Sequence, residues 1–184
     1  MKEGIFINNI EEVYLLPDNK SLTIRPEAIE KMFKYKQIKT RDKEAGGILI
    51  GRVLIEDENF IIDDVSEPMP SDKRTRYRFF RKKEEHQEYF NKVWEREKES
   101  CLYLGEWHTH PERIPNPSGI DIKDWKRLIK IGFEQKCLFF VIVGIDDLKV
   151  WYGYGDEPTI IELKRRSNLD SRRGSNKKKA AQES

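Results

Sequence analysis

Short apolar runs separated by turn residues recur along the chain and predict the strands of a sheet. Such runs have strand length and are bounded by charged residues or by Pro, Gly, Asp and Asn. They cover residues 13–16, 22–24, 46–55, 60–65, 102–108, 138–145, 149–154 and 159–163. The acidic stretch 56–59 between the third and fourth runs predicts a hairpin.

Other segments place their apolar residues at helical spacing. One begins at Pro26, a second covers residues 82–99, and a third covers 118–131 with Ile122 and Trp125 on one face. Because helices alternate with strands and hairpins, the pattern predicts an α/β (α+β) domain in which a mixed β-sheet is flanked by helices.

Composition narrows the class of protein. The chain has 184 residues, 37% hydrophobic and 37% charged, so one domain with a highly charged surface is expected. The run at 138–145 is far shorter than the ~20 apolar residues that cross a bilayer, and the N-terminus has no signal-peptide pattern. Two cysteines, Cys101 and Cys137, are too few for a disulfide framework, which favours the reducing cytoplasm and predicts buried free thiols.

Charge divides the chain into a domain, residues 1–163, and a tail, residues 164–184. The tail has eight basic and two acidic side chains, whereas the whole chain has a net charge of +2, so the domain is mildly acidic. A tail with so little apolar content is expected to be disordered. It is either a tether for nucleic acid or an acidic partner, or a solubilising terminus. The acidic domain counts against nucleic-acid binding as the main function.

Two of the three histidines form the sequence His108-Thr109-His110 at the end of a predicted strand. Residues i and i+2 of a strand point to the same face, so both imidazoles can converge on one point. Asp121 follows at the start of a predicted helix. Two imidazoles and a carboxylate, with a fourth position left for water, suit a catalytic Zn²⁺. A pair of histidines that binds no metal is the alternative.

Ser118 and Asp121 also match a capping box, in which Ser118 is the N-cap and Asp121 the third helical residue. A cap explains this serine and this aspartate by itself. It does not explain the two histidines upstream or the proline-rich segment between them. Ser118 can serve both purposes, because a helix N-terminus is a natural place to hold an anion.

The spacing His108-x-His110-x7-Ser118-x2-Asp121 resembles the JAMM motif of the JAB/MPN metallopeptidases, and Glu44 before GGILIG resembles the upstream glutamate of that family. The resemblance implies a single JAB/MPN domain with a cytidine-deaminase-like layout. It implies that His108, His110 and Asp121 hold Zn²⁺, that Glu44 is the general base, and that Ser118 stabilises the oxyanion.

Three stretches are more particular: GGILIG, RYRFFRKKEEHQ and GEWHTHPE. They resemble bacterial JAB peptidases of CBASS antiphage operons and of integrative and conjugative elements, which look like deubiquitinase-like deconjugating enzymes. The resemblance implies an isopeptidase that releases a CD-NTase-type cyclic-oligonucleotide synthase from target amines. The E1–E2 fusion enzyme of such an operon would be a further partner.

A cationic stretch before the second predicted helix contains the candidates for substrate binding, which are Arg74, Arg76, Arg78 and Arg81. A solvated charged loop is the alternative. For the whole chain, the alternatives to an isopeptidase are a peptidase for a sulfur-carrier or small peptide conjugate and a silent MPN scaffold. His86, Trp107 and Trp125 are expected to be core residues.

Overall fold

A computed structural model describes residues 11–133 and 135–167 of the chain. Its helices are α1 (Pro26–Phe33), α2 (Lys83–Arg96) and α3 (Gly119–Ile131). Its strands are β1 (Glu12–Leu15), β2 (Ser21–Ile24), β3 (Gly46–Val53), β4 (Phe60–Val65), β5 (Lys73–Arg74), β6 (Phe79–Phe80), β7 (Leu102–Thr109), β8 (Cys137–Val143), β9 (Leu148–Tyr154), β10 (Thr159–Glu162) and β11 (Lys164–Arg165).

One mixed sheet organises the fold, with strand order β10-β9-β8-β7-β3-β4-β2-β1-β11. The pairs β7–β8 and β2–β4 are parallel, and the other pairs of this sheet are antiparallel. The antiparallel pairs include β3 and β4, which form the hairpin that the sequence predicts. The predicted α/β (α+β) class with a mixed sheet and helices is therefore confirmed. The sequence pattern missed the small hairpin of β5 and β6, because neither strand exceeds two residues.

The core lies on both faces of the central strands. Every residue of β8 is buried, as its uninterrupted apolar run predicts for a strand covered on both faces. On β7, Trp107 points away from the histidine side and is 1% exposed, and its Nε1 donates to the Ser66 carbonyl oxygen at 2.9 Å. Trp125 of α3 is also buried and stacks on Phe140, with ring centroids 4.6 Å apart. The expectation that both tryptophans are core residues is confirmed.

Gly105 allows β7 to bend where its register with β3 shifts by one residue. Its φ of 139° is one that side-chain-bearing residues rarely adopt, and an added Cβ would lie 1.8 Å from the Phe139 carbonyl oxygen. The glycine therefore permits the close approach of β7 to β8 in the part of β7 that precedes His108.

The sheet extends past the predicted domain boundary at residue 163. Strand β11 pairs with β1 through Tyr14 and Leu15, and Arg165 binds Asp147 and the Tyr14 hydroxyl. These contacts attach the first two residues of the predicted tail to the domain, while residues 168–184 lie outside the described residues. Among the helices of 11–133 and 135–167, none has both the length and the apolar character that crossing a membrane needs.

Candidate metal centre

The end of β7 brings the two histidines together. The Nε2 atoms of His108 and His110 are 3.0 Å apart, and both side chains are 12% exposed. Thr109, between them, points to the opposite face and is fully buried. The i, i+2 argument from the sequence thus describes the observed geometry. Burial lowers the pKa of His108, which favours the neutral imidazole that a metal ligand must be.

The N-terminus of α3 brings Asp121 to the same point. Its Oδ1 lies 3.4 Å from His108 Nε2, and its Oδ2 lies 3.5 Å from His110 Nε2. The predicted capping box is present: Asp121 N–H donates to Ser118 Oγ, and Ser118 N–H donates to Asp121 Oδ2 at 2.6 Å. The cap therefore orients the Asp121 carboxylate towards the histidines instead of competing with that role.

These spacings fit a tetrahedral ion. Ligand bonds of about 2.0–2.1 Å at tetrahedral angles separate neighbouring ligand atoms by about 3.3 Å. The two histidine nitrogens are 3.0 Å apart, and each faces a different oxygen of Asp121, Oδ1 at 3.4 Å from His108 and Oδ2 at 3.5 Å from His110. Two imidazole nitrogens and one carboxylate oxygen are also ligands that zinc accepts.

Glu44 lies beside this triad. Glu44, His108 and His110 can together hold a metal ion, since each offers a ligand atom within 4.8 Å of the others. The Glu44 side chain is buried, and burial together with the negative charge of Asp121 raises its pKa to about 8, while Arg78 acts in the opposite direction. The positive charge of a metal ion would also favour the carboxylate form. Two ligand sets are thus available, one with Asp121 and one with Glu44.

A segment of residues 69–82, here called the clamp segment, holds the main chain of Glu44. The Glu44 N–H donates to the Thr75 carbonyl oxygen at 2.7 Å. Arg74 Nε donates to the Glu44 carbonyl oxygen at 2.8 Å, and its terminal nitrogen donates to the Lys43 carbonyl oxygen. The hairpin of β5 and β6 inside the clamp segment therefore fixes the backbone on both sides of the Glu44 side chain.

Buried Gln37 joins the clamp segment to the histidine strand. Its Oε1 accepts from Thr109 Oγ1 at 3.0 Å, and its Nε2 donates to the main-chain oxygens of Arg76 and Asp42. Thr109 Oγ1 also accepts the N–H of Ala45, the residue after Glu44. Sequence reasoning missed both side chains because they are ordinary polar residues whose partners are distant along the chain. The polar Thr109 at an inward position of β7 was the one available signal.

Two of the four arginines predicted to bind substrate donate instead to main-chain carbonyl oxygens of the protein. Arg74 binds the Glu44 main chain, as described above, and Arg76 donates to the carbonyl oxygens of Lys39 and Thr40. Both therefore stabilise the loop that precedes the candidate base.

The other two arginines lie nearer to the open side of the site. Arg81 forms an ion pair with Glu106, and both side chains are about one quarter exposed. Arg78 lies over the ring of exposed Phe80 at 5.0 Å. A groove of about 320 Å³ runs from Glu44 and His108 past Arg81 and Glu106 to α3. Of the four predicted arginines, Arg81 lines this groove, and Arg78 lies over Phe80, which also lines it.

The remaining predicted features are in the interior. His86 is fully buried on α2, which confirms that it is a packed residue. Cys101 and Cys137 are buried free thiols, as expected, and burial raises the pKa of the Cys137 thiol to about 12.

Comparison with known proteins agrees with this geometry. The family described as prokaryotic homologues of the JAB domain matches residues 26–154. A protein named CD-NTase/cGAS isopeptidase from Escherichia coli (strain TW11681) is 33% identical over 159 residues, covering 86% of this chain and 97% of that protein. A protein of the same name from Vibrio cholerae is 31% identical with the same coverage, and one from Pseudomonas aeruginosa is 35% identical over 72% of this chain and 84% of its own.

The match to the family model covers well over half of the chain, and it contains Glu44, His108, His110 and Asp121. The resemblance seen in the sequence is therefore confirmed. The chain belongs to the family of prokaryotic JAB-domain proteins.

Proposed function

We propose that this chain is a zinc-dependent isopeptidase that hydrolyses the amide between the C-terminus of a conjugated protein and a target amine. It would thereby reverse a ubiquitin-like ligation. The observation that carries the proposal is the convergence of His108, His110 and Asp121, with donor atoms 3.0–3.5 Å apart, beside the buried carboxyl group of Glu44.

His108, His110 and Asp121 would hold the zinc ion. A zinc ion held there would lower the pKa of a water ligand and would polarise the scissile carbonyl. Asp121 is oriented by its hydrogen bond from Ser118 N–H, so the helix N-terminus supports the ligand. Trp125 lies near the His108 ring, with centroids 6.4 Å apart, and forms an apolar wall next to the site.

Glu44 is the general base in this proposal. One carboxylate oxygen takes a proton from the attacking water, and the same oxygen gives the proton to the amine as the carbon–nitrogen bond breaks. Ser118 stabilises the oxyanion. Its Oγ accepts the Asp121 N–H in the capping box, which leaves the hydroxyl proton free to donate to the carbonyl oxygen of the substrate.

The names of the relatives support a proposal about the identity of the substrate. Proteins similar to this chain over most of their length are named CD-NTase/cGAS isopeptidases, so we propose a CD-NTase-type synthase as the conjugated protein. An E1–E2 fusion enzyme would supply the conjugate. The two buried free thiols suit a reducing cytoplasm, which we propose as the location.

A cleavage assay tests the proposal. The substrate is a CD-NTase-type synthase joined by its C-terminal carboxyl to the lysine side chain of a reporter. Wild type, Glu44→Gln and Asp121→Ala are compared after their zinc content has been measured. A second substrate, with the last ten residues of the synthase scrambled, is the matched control for specificity.

The expected result is cleavage of the native tail by zinc-loaded wild type and by neither variant. Cleavage of both tails at equal rates would indicate a less selective peptidase, such as one for small conjugates. If zinc-loaded wild type cleaves nothing, the isopeptidase proposal fails and the scaffold alternative gains support.

A further inference from the structure

A chain of buried hydrogen bonds connects three side chains outside the metal centre. Ser66 Oγ lies 2.7 Å from His86 Nδ1, and His86 Nε2 lies 3.0 Å from Asp72 Oδ2. Ser66 and His86 are 0% exposed, and so is the side chain of Asp72. We call these three residues the relay.

The relay has the residue types of a Ser-His-Asp hydrolase triad, but its serine is not accessible to a substrate. Ser66 Oγ accepts the Ile48 N–H at 2.9 Å and is sealed from solvent, so a substrate cannot reach it. A neutral His86 with its proton on Nε2 satisfies every group: Ser66 donates to Nδ1, and Nε2–H donates to the Asp72 carboxylate. The relay is therefore a structural link and not a second nucleophilic site.

One end of the relay is attached to β3 shortly after Glu44. Ser66 N–H donates to the Ile48 carbonyl oxygen, and the Ile48 N–H returns to Ser66 Oγ. A Cβ added at Gly47 would lie 2.1 Å from the Ser66 carbonyl oxygen, so β3 and Ser66 are in close contact here. This contact fixes the backbone at the start of β3, which follows Glu44 in the sequence.

The other end of the relay closes the clamp segment. Asp72 Oδ2 accepts the Met69 N–H at 2.7 Å, and Asp72 Oδ1 accepts the Lys82 N–H at 2.8 Å. These residues are the first and last of the clamp segment, and between them Arg74 and Thr75 bind the Glu44 main chain. A single buried carboxylate thus joins both ends of the segment that holds the candidate base.

We propose that the relay is a positioning device for Glu44 and that His86 is its central positioning residue. His86 connects the clamp segment, which holds Glu44 from one side, to β3, which continues from Glu44 on the other. The inference deepens the proposed function and rests on it, since the role of Glu44 as base is part of that proposal. Loss of the relay frees the Glu44 carboxylate to adopt orientations that do not reach the attacking water.

The test compares four proteins. His86→Phe removes both hydrogen bonds and keeps a ring in the cavity. His86→Gln keeps a donor near the Nε2 position and so retains the bond to Asp72, and it is also the safer variant for folding. Val93→Ala is the matched control, because Val93 is a buried residue of the same helix that has no part in the relay. Hydrogen–deuterium exchange, zinc content, kcat and KM are measured for each.

In His86→Phe, we expect exchange to rise about tenfold or more in peptides covering residues 39–45 and 69–82, and to stay unchanged in β8. We expect kcat to fall by about 10- to 100-fold, with zinc content and KM unchanged. His86→Gln should recover part of both effects, and Val93→Ala should show neither. Unchanged exchange and kcat in His86→Phe, or equal changes in Val93→Ala, would overturn the inference.

Failure of the proposed function gives a different result. If zinc-loaded wild type cleaves nothing, the isopeptidase proposal fails. Hydrogen–deuterium exchange of His86→Phe then tests by itself whether the relay positions Glu44. A rise confined to residues 39–45 and 69–82 would support the positioning of Glu44 by His86. A rise spread evenly over the domain, or none at all, would contradict it.

Discussion

Arg74 holds Glu44 by its main chain, because the guanidinium Nε donates to the Glu44 carbonyl oxygen at 2.8 Å. A second donor of the same guanidinium reaches the Lys43 carbonyl oxygen. Arg74 also lies over the Tyr35 ring at 5.6 Å, so its side chain is held on several sides. An arginine that the sequence suggested for substrate binding therefore holds the main chain of the candidate base. Its contacts predict that its loss would slow the chemical step.

Substitution of Arg74 should lower kcat and leave KM nearly unchanged. Arg74→Ala removes both donors to the loop, and we expect kcat to fall by about tenfold through misplacement of Glu44. Arg74→Lys should lose less, since an ammonium can still reach one of the two carbonyl oxygens. Arg78→Ala is the comparison: Arg78 is exposed near the groove, so its loss should raise KM instead. If Arg74→Ala instead raises KM and leaves kcat unchanged, Arg74 contacts the substrate directly.

The two available ligand sets make opposite predictions about zinc. If Asp121 is a ligand and Glu44 the base, Glu44→Gln keeps stoichiometric zinc with little activity, whereas Asp121→Ala binds zinc at least about 100-fold more weakly. Competition with a chromogenic chelator measures both affinities. Weak binding by Glu44→Gln together with normal binding by Asp121→Ala would instead support the set of Glu44, His108 and His110.

Removal of metal should lower the thermal stability of the domain. A ligand present at about 1,000 times its dissociation constant adds about 4 kcal/mol to the free energy of unfolding. For a domain of this size that corresponds to a fall in Tm of roughly 10 °C upon chelation. Differential scanning calorimetry measures the shift, and His110→Ala is the control because the chelator should no longer change its Tm. An equal chelator effect on both proteins would place the stabilising metal elsewhere.

The sequence predicts the parts of the site that follow local rules. The i, i+2 geometry of a strand is enough to bring His108 and His110 together, and the capping box is enough to place Asp121 at a helix start. Glu44 depended on family resemblance, because an acidic residue in a charged stretch has no distinguishing pattern of its own.

The supporting contacts could not be predicted, because they join residues far apart in the chain. Gln37 and Thr109 are 72 positions apart, and Ser66 and His86 are 20 apart. The cationic stretch had a similar limit. Its charge is visible in the sequence, but only the fold shows that Arg74 and Arg76 bind main-chain oxygens.

Gly105→Ala should destabilise the fold severely. The positive φ is strained for alanine, and the new methyl group would meet the Phe139 carbonyl oxygen on the adjacent strand. We expect the free energy of unfolding to fall by about 3 kcal/mol or more, measured by urea denaturation. Gly119→Ala is the control: a Cβ there meets nothing within 4 Å at the start of α3, so stability should change little or rise. Equal effects of the two substitutions would contradict the close contact of β7 and β8.

Thr109→Val should reveal how much the buried polar link contributes to stability. Valine keeps the shape of threonine but leaves the Ala45 N–H and the Gln37 amide without their partner, and each buried unsatisfied group costs about 1–3 kcal/mol. Thr109→Ser keeps the hydroxyl and loses only a methyl group, at a cost of about 1 kcal/mol. The double variant with Gln37→Leu should be less destabilised than the sum of the single variants by at least about 0.5 kcal/mol, because both side chains belong to one network. Denaturant unfolding of wild type, Thr109→Val, Gln37→Leu and the double variant measures this coupling, and Thr109→Ser is unfolded beside them as the control. If Thr109→Val is as stable as Thr109→Ser, the hydroxyl makes no net contribution, and the link between Gln37 and the histidine strand rests on packing alone.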